Sequence, residues 1–145
     1  MSIKHGDTKI EVFYVGTQPR KVPIPGEKEA HGEVFTITKD NKEYYGSPYI
    51  TLVSGNTYKF VINTPGYPFY ITTDPVGAGV IRRPSQSLIG AITINPESTS
   101  EKGNVGIEKG ELTFTPDRLH ADMKIYYQSN FHKNMGNEII VRLPE

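Results

Sequence analysis

Short runs in which apolar and polar residues alternate, separated by turn residues, are the dominant feature of this chain of 145 residues. The clearest run is Thr57–Asn63, where Tyr58, Phe60 and Ile62 fall on one face of a strand and the residues between them on the other. The chain contains 14 glycines and 11 prolines, which interrupt long helices. We therefore predict an all-β fold with at most one or two helical turns.

Similar runs recur along the chain at the spacing that is typical of a β-sandwich. They cover residues 10–15, 34–38, 49–53, 57–63, 69–73, 88–94, 111–115, 125–128 and 138–143. Residues 116–123 can form one helical turn, with Pro116 at its first helical position. The pattern predicts a Greek-key β-sandwich, and the chain length predicts one domain that covers residues 1–145.

Two parts of the predicted domain depart from regular alternation. Residues 1–33 are predicted to form an N-terminal edge strand followed by a Pro-rich loop, because a proline cannot donate to a central strand ladder. Residues 76–110 are rich in Gly, Ser, Asn and Pro, and we interpret them as a long variable excursion that carries mobility and partner-specific contacts.

The hydrophobic core can be predicted from the positions that alternate in the two best-patterned parts of the chain. In a sandwich, the inner faces of the two sheets pack against each other. The predicted core residues are Phe60, Ile62, Phe69, Ile71, Leu112, Phe114, Ile125, Tyr127, Ile139 and Val141.

Composition excludes several classes of function. The absence of cysteine excludes disulfides, thiolate metal sites and iron–sulfur clusters. Sixteen basic and 16 acidic residues balance, so no overall field attracts phosphates, and we expect no nucleic-acid partner. No apolar stretch has the length of a signal peptide core or of a membrane span, and we expect neither export by a signal peptide nor membrane insertion.

Two segments together resemble the cupredoxin family. The first is the strand-turn-strand segment 49–60, followed by Gly66-Tyr67-Pro68-Phe69, which is similar to the family's His-Pro-Phe region. The second is Tyr126-Tyr127-Gln128-Ser129-Asn130-Phe131-His132-Lys133-Asn134-Met135-Gly136, which resembles the closing Tyr-Tyr-x-Cys-x-x-His-x-x-Met-Gly motif. The resemblance covers about residues 49–141 and implies a cupredoxin-like sandwich.

The resemblance also assigns the four copper-ligand positions of the family to residues of this chain. The strand histidine corresponds to Tyr67, the thiolate to Ser129, the loop histidine to His132 and the axial methionine to Met135. A serine hydroxyl does not replace a thiolate at neutral pH. We therefore expect no blue-copper centre and no cofactor, with a residual copper site of His132 and Met135 as the alternative.

An enzymatic function is not expected. Ser129 and His132 could be a nucleophile and its base, but no Gly-x-Ser-x-Gly elbow accompanies them. Asp74, Asp117 and Asp122 lie at predicted turns and strand ends, where Asp is common for structural reasons. The histidines His5, His31 and His120 would add a ligand only if the fold brought them to His132.

The remaining hypothesis is a non-enzymatic structural or protein-binding module on a metal-free scaffold. The chain has a high aromatic content, with nine tyrosines and six phenylalanines. Neighbours in a strand, such as Tyr126 and Tyr127, cannot both face inward, so outward tyrosines can form a contact surface. The chain also resembles cupredoxin-like proteins encoded by large DNA viruses of protists. That resemblance implies a virion-associated component, located in the cytoplasm or the virion, with a protein partner or self-assembly.

Overall fold

The computed structural model describes residues 10–44, 46–78, 88, 90–95 and 106–144. These ranges contain ten strands and a single 3₁₀ turn, and residues 88 and 90 are helical. The strands are β1 (Ile10–Pro19), β2 (Glu33–Lys39), β3 (Lys42–Tyr44), β4 (Ile50–Val53), β5 (Thr57–Asn63), β6 (Phe69–Thr72), β7 (Ile92–Asn95), β8 (Lys109–Phe114), β9 (Ile125–Ser129) and β10 (Asn137–Arg142). The 3₁₀ turn covers Arg118–Asp122, between β8 and β9.

The strands form two sheets that pack face to face. The larger sheet has six strands in the order β3-β2-β1-β5-β8-β7, and the smaller has four in the order β4-β10-β9-β6. Most neighbours are antiparallel, but β1 pairs with β5 and β4 pairs with β10 in parallel. The predicted all-β sandwich is confirmed.

The core lies between the two sheets and contains all ten residues that period-two alternation predicted. Aromatic rings join the sheets across it: Phe69 of β6 lies 5.2 Å from Phe35 and 5.7 Å from Phe60, measured between ring centroids. The core also contains residues that the sequence analysis did not include, among them Phe13, Phe35, Ile37, Leu52 and Met135.

The position of β1 differs from the prediction of an N-terminal edge strand. β1 lies inside the larger sheet, because it pairs with β2 on one side and with β5 on the other. Its Pro19 is the last residue of the strand, so the missing N–H interrupts no central part of the ladder. The local pattern identified the strand, but pairing to β5 is a long-range property that local alternation does not encode.

Smaller differences concern strand ends and the helical turn. The sequence analysis missed β3. It also predicted a strand at 88–94, whereas β7 begins at Ile92. The 3₁₀ turn begins at Arg118 rather than at Pro116, and Asp117 is its N-cap, because the Asp117 side chain accepts the N–H of Leu119. Most of the predicted excursion at 76–110 falls outside the described residues. Within the described ranges, no helix has the length and apolarity needed to cross a membrane.

Candidate functional site

The two segments of the cupredoxin-like motif meet at one end of the sandwich. β6 and β9 are antiparallel neighbours, and their register places Phe69 opposite Ser129. The N–H of Asn130 donates to the carbonyl of Pro68 at 3.3 Å. The loop at residues 130–136, between β9 and β10, therefore lies directly beside the Tyr67-Pro68-Phe69 segment.

Tyr67 and His132 are in direct contact. Their ring centroids lie 4.7 Å apart with an interplanar angle of 45°. Tyr67 is half-buried and packs against the core, whereas His132 is exposed. Two of the four positions that the resemblance assigned to ligands are thus neighbours, and they are joined by a ring contact.

Ser129 and Met135, the other two assigned positions, are buried and make structural contacts. Ser129 is fully buried, and its hydroxyl accepts a hydrogen bond from the N–H of Phe131 at 3.2 Å. Met135 belongs to the hydrophobic core, and its carbonyl accepts from the N–H of Phe35 at 3.0 Å and from the hydroxyl of Ser47.

These residues do not fit a blue-copper centre. The set has one imidazole and one thioether, while a phenol and a buried hydroxyl stand at the positions of the second imidazole and the thiolate. Met135 packs in the core, and the Tyr67 ring lies against His132. In the part of the chain that the structure describes, no three His, Cys, Asp or Glu residues are grouped as a metal site would require.

The other candidate histidines lie elsewhere or are not described. His120 is buried in the 3₁₀ turn before β9, and its Nδ1 accepts the N–H of Asp117 at 2.9 Å. The loop at 130–136 follows the opposite end of β9. His31 is exposed, and its carbonyl accepts from Arg20 Nε at 2.9 Å. His5 lies outside the described residues.

The suspected acids occupy structural positions. Asp74 is fully buried, and its Oδ1 accepts the N–H of Val76 at 2.9 Å, as in an Asx turn. Asp117 caps the 3₁₀ turn, and Asp122 is an exposed residue at its end. The hydrogen bonds of Asp74 and Asp117 thus hold turns of the backbone, whereas a general acid or base must reach a substrate proton.

Hydrogen bonds from Gln128 and its neighbours hold one side of the loop. The Gln128 amide donates to the carbonyl of Pro75 at 2.9 Å, and its Oε1 accepts the N–H of Gly136 at 3.0 Å. Gln128 is 1% exposed, so both bonds are protected from water. Because this amide bonds both to Gly136 at the end of the loop and to Pro75, it holds the loop against the segment at 75–78.

The segment at 76–78 runs alongside the loop like a short extra strand. The N–H of Asn134 donates to the carbonyl of Val76, and the N–H of Ala78 donates to the carbonyl of Ser129, both at 2.7 Å. Gly77 allows this close approach: a Cβ there would lie 3.1 Å from the Ser129 carbonyl oxygen, and its φ is +90°.

Arg20 holds the opposite side of the loop. Its guanidinium donates to the carbonyl of Asn134 at 2.8 Å and to that of His31 at 2.9 Å. The sequence analysis missed both Arg20 and Gln128, because their partners lie far away in the sequence. The only local signal was Gln128 itself, a polar residue next to the predicted core residue Tyr127.

Burial also sets the chemistry of two tyrosines. Burial raises the pKa of the Tyr127 phenol, which donates to the carbonyl of Pro48. Burial, followed by repulsion from Asp74, raises the pKa of Tyr70, which is 4% exposed. Tyr70 is buried although its neighbour Phe69 faces the core, so both faces of β6 are covered. Among the tyrosines whose exposure the structure describes, Tyr14 and Tyr49 are exposed.

The chain is similar in fold to solved structures of rusticyanin, which is described as a copper protein. Rusticyanin from Thiobacillus ferrooxidans shares 14% identity, with 97% of this chain and 85% of that chain covered and a TM-score of 0.45. Reduced rusticyanin shares 13% identity, with coverage of 97% and 87% and a TM-score of 0.45. The predicted all-β sandwich is confirmed by the two-sheet architecture, and the likeness to rusticyanin concerns the fold alone.

No curated protein matches this chain in sequence. The family comparison gives a match to the At5g54830-like domain over residues 28–142, which is most of the chain. This span includes nine of the ten described strands, from β2 to β10, and the whole loop at 130–136. The chain belongs to the At5g54830-like domain family.

Proposed function

We propose that this domain is a non-enzymatic protein-binding or structural module on a metal-free cupredoxin-like scaffold. The observation that carries the proposal is the way the loop at 130–136 is held. Hydrogen bonds with Gln128 and Arg20 join it to the rest of the domain, and a ring contact joins Tyr67 and His132, two positions that the resemblance assigns to metal ligands. These contacts support a loop that is held in place without a metal.

A loop that is held from several sides can present its outward side chains in one arrangement. Phe131 is 65% exposed, and His132 and Lys133 beside it are also exposed. An exposed aromatic ring on a fixed backbone loses little entropy on binding, and aromatic residues are enriched at protein interfaces. We take Phe131 as the anchor of the proposed protein-binding surface, with His132 and Lys133 at its rim.

The proposed partner is a protein, either a second copy of the chain or another component of the same assembly. The resemblance to virus-encoded proteins would make that assembly a virion, and the proposed location is accordingly the cytoplasm or the virion. The balanced net charge supports a protein partner rather than a nucleic acid.

Sedimentation of the purified protein over a range of concentrations tests self-assembly through the loop. Phe131→Asp places a charge at the proposed anchor, and Leu119→Asp, at a side chain that is 48% exposed in the 3₁₀ turn, is the matched control. Association that Phe131→Asp abolishes and Leu119→Asp preserves supports a self-assembling module.

If the protein stays monomeric, the same three proteins serve as baits for cross-linking in an extract of the source organism. A purified partner that binds wild type and Leu119→Asp equally, but not Phe131→Asp, supports a heterologous partner. Binding that is insensitive to Phe131→Asp in both experiments would contradict the loop surface.

The second candidate is a copper-binding protein that uses His132 and Met135. The contact between positions 67 and 132 favours it, because two ligand positions of the family are adjacent in the fold. The burial of Met135 in the core opposes it, because the thioether would have to leave the core to reach a metal. Metal content of protein purified without added metal decides between the candidates: stoichiometric copper would replace the first proposal by the second.

A further inference from the structure

Four polar side chains are buried together on the outer face of the smaller sheet, where β6 and β9 lie side by side. Phe69 and Ile71 of β6 face the core, so alternation places Tyr70 and Thr72 on the outer face. Gln128 of β9 lies directly opposite Tyr70 in the register, and such partners have Cβ atoms about 5 Å apart. Tyr70, Thr72, Asp74 and Gln128 are 4%, 6%, 0% and 1% exposed, so bulk water does not satisfy their polar atoms.

The hydroxyl of Tyr70 makes no hydrogen bond to any residue that the structure describes. Buried hydroxyls nearly always have a partner, because an unpaired one has lost its hydration without compensation. Thr72 lies on the same face of β6, but its oxygen accepts the N–H of Asp74 at 3.1 Å. The Tyr70 phenol is therefore a buried donor and acceptor whose partner is not one of the described side chains around it.

The amide of Gln128 provides a second donor at the same place. One N–H of this amide donates to the carbonyl of Pro75 at 2.9 Å, and its Oε1 accepts the N–H of Gly136 at 3.0 Å. A primary amide carries two N–H groups, and the second one bonds to no described residue. The segment at 75–78 covers this donor, since a Cβ at Gly77 would lie 3.2 Å from the Gln128 Cβ.

The charge beside the two donors selects the class of ligand. The Asp74 carboxylate is fully buried, and its Oδ1 accepts the N–H of Val76 at 2.9 Å. Burial raises the pKa of Tyr70, the Thr72 hydroxyl lowers it, and the charge of Asp74 raises it, so the carboxylate acts on the phenol. An anion would be repelled by Asp74, and a metal cation would face the N–H of Gln128. A small neutral molecule that both accepts and donates hydrogen bonds fits this surrounding.

We propose that one water molecule is bound between Tyr70 and Gln128 as a fixed part of the domain. Its oxygen accepts the Tyr70 hydroxyl and the second N–H of Gln128, and its protons are donated to the oxygens of Asp74 and Thr72. Buried waters in proteins typically make about three such bonds.

The bound water also braces the loop at 130–136, because Gln128 is the residue that bonds to Gly136 and Pro75. The water site requires only the buried side chains of β6 and β9 and the turn after β6. It does not depend on whether the loop binds a protein, so failure of the proposed function would leave it unaffected.

A high-resolution crystal structure of the unmodified protein tests the water directly. We expect one solvent oxygen within about 3.2 Å of both Tyr70 Oη and Gln128 Nε2. A direct bond from the Tyr70 hydroxyl to a protein atom, without a solvent peak, would overturn the proposal. A peak with several oxygens at about 2.4 Å would also overturn it, because that distance is typical of a bound metal cation.

Tyr70→Phe tests the water in solution, because the two alternatives give melting temperatures of opposite sign. If the water is bound, removal of its hydrogen bond to the phenol should lower the melting temperature by about 3 °C. If the hydroxyl is simply buried without a partner, its removal relieves an uncompensated cost, and an unchanged or higher melting temperature would overturn the proposal. Tyr14→Phe, at a ring that is 55% exposed, is the control and should leave the melting temperature unchanged.

Hydrogen exchange of the Gly136 amide tests the link from the water to the loop. In Tyr70→Phe this amide should exchange severalfold faster, because the Gln128 side chain that accepts it is less firmly held. The amide of Phe60, in the middle of the larger sheet, reports global stability and should accelerate less. Equal acceleration of the two amides would show that the water does not brace the loop.

Discussion

The ring of Tyr67 lies against the imidazole of His132, with 4.7 Å between the ring centroids. The two residues are 65 positions apart in sequence, and each stands where the cupredoxin resemblance places a histidine ligand. Their contact brings the two segments of the motif to one place. The Tyr67 phenol therefore occupies part of the space where the family has a metal site, and a phenol is a poor copper ligand at neutral pH.

The ligand positions give a prediction about colour. The unmodified protein with copper(II) should show no intense visible band, because it offers no thiolate for charge transfer. The double variant Tyr67→His and Ser129→Cys should give a blue or green thiolate-copper band in its absorption spectrum. Tyr67→His alone is the control and should stay colourless. Colour in the unmodified protein would contradict the metal-free proposal, and a folded double variant without copper uptake would contradict the assignment of positions.

Truncation of a core ring should strongly destabilise the fold. Phe60 and Phe114 are fully buried, on neighbouring strands of the larger sheet. Replacing either by Ala should lower the free energy of unfolding by about 3 to 5 kcal/mol, because it removes apolar contacts and leaves a cavity. Phe131→Ala, at a ring that is 65% exposed, should change it by less than about 0.5 kcal/mol. Denaturant titration measures both, and equal effects would show that the core assignment is wrong.

Gly77→Ala should be more destabilising than Gly66→Ala. Both glycines have positive φ, +90° and +86°, so both substitutions strain the backbone by about 1 kcal/mol. Only at Gly77 would the new Cβ also meet close neighbours, namely the carbonyl oxygens of Ser129 at 3.1 Å and His132 at 3.3 Å. We expect thermal unfolding of Gly77→Ala at the lower temperature. A more stable Gly77→Ala would show that the segment at 76–78 does not hold the loop.

Two tyrosines should resist alkaline titration until the protein unfolds. Burial raises the pKa of Tyr127 and of Tyr70 above the ordinary value of about 10. The folded state therefore binds more protons than the unfolded state at high pH, and the stability that this contributes is complete below pH about 10 and is lost above it. Tyrosinate absorbance should rise in two phases, the second coinciding with loss of β structure in circular dichroism.

Tyr127→Phe identifies the contribution of one buried phenol to this titration. Tyr127→Phe should reduce the second phase, although it also removes the hydrogen bond to Pro48 and lowers stability at neutral pH. A single phase at pH about 10 in the folded protein would contradict the burial of both phenols.

The sequence by itself determined most of the strands and the faces they bury. Alternation with a period of two is a local property, and it placed Phe60, Leu112 and Tyr127 in the core without knowledge of which strands pair. The resemblance of the segment from Tyr126 to Gly136 to the cupredoxin closing motif implied that this loop shares a site with Tyr67. The register of β6 and β9 then placed Phe69 opposite Ser129.

Only the tertiary structure decided the properties that depend on distant partners. β1 lies inside its sheet because it pairs in parallel with β5, and Arg20 holds the loop through a carbonyl 114 residues away. Both faces of β6 are covered, since Tyr70 and Phe69 are both buried, and Gln128 opposite Tyr70 bonds to Pro75. The place of β4 at one edge of the smaller sheet, among the described strands, is likewise a property of the whole sheet. Such features follow from how whole sheets stack, and local alternation carries no information about that.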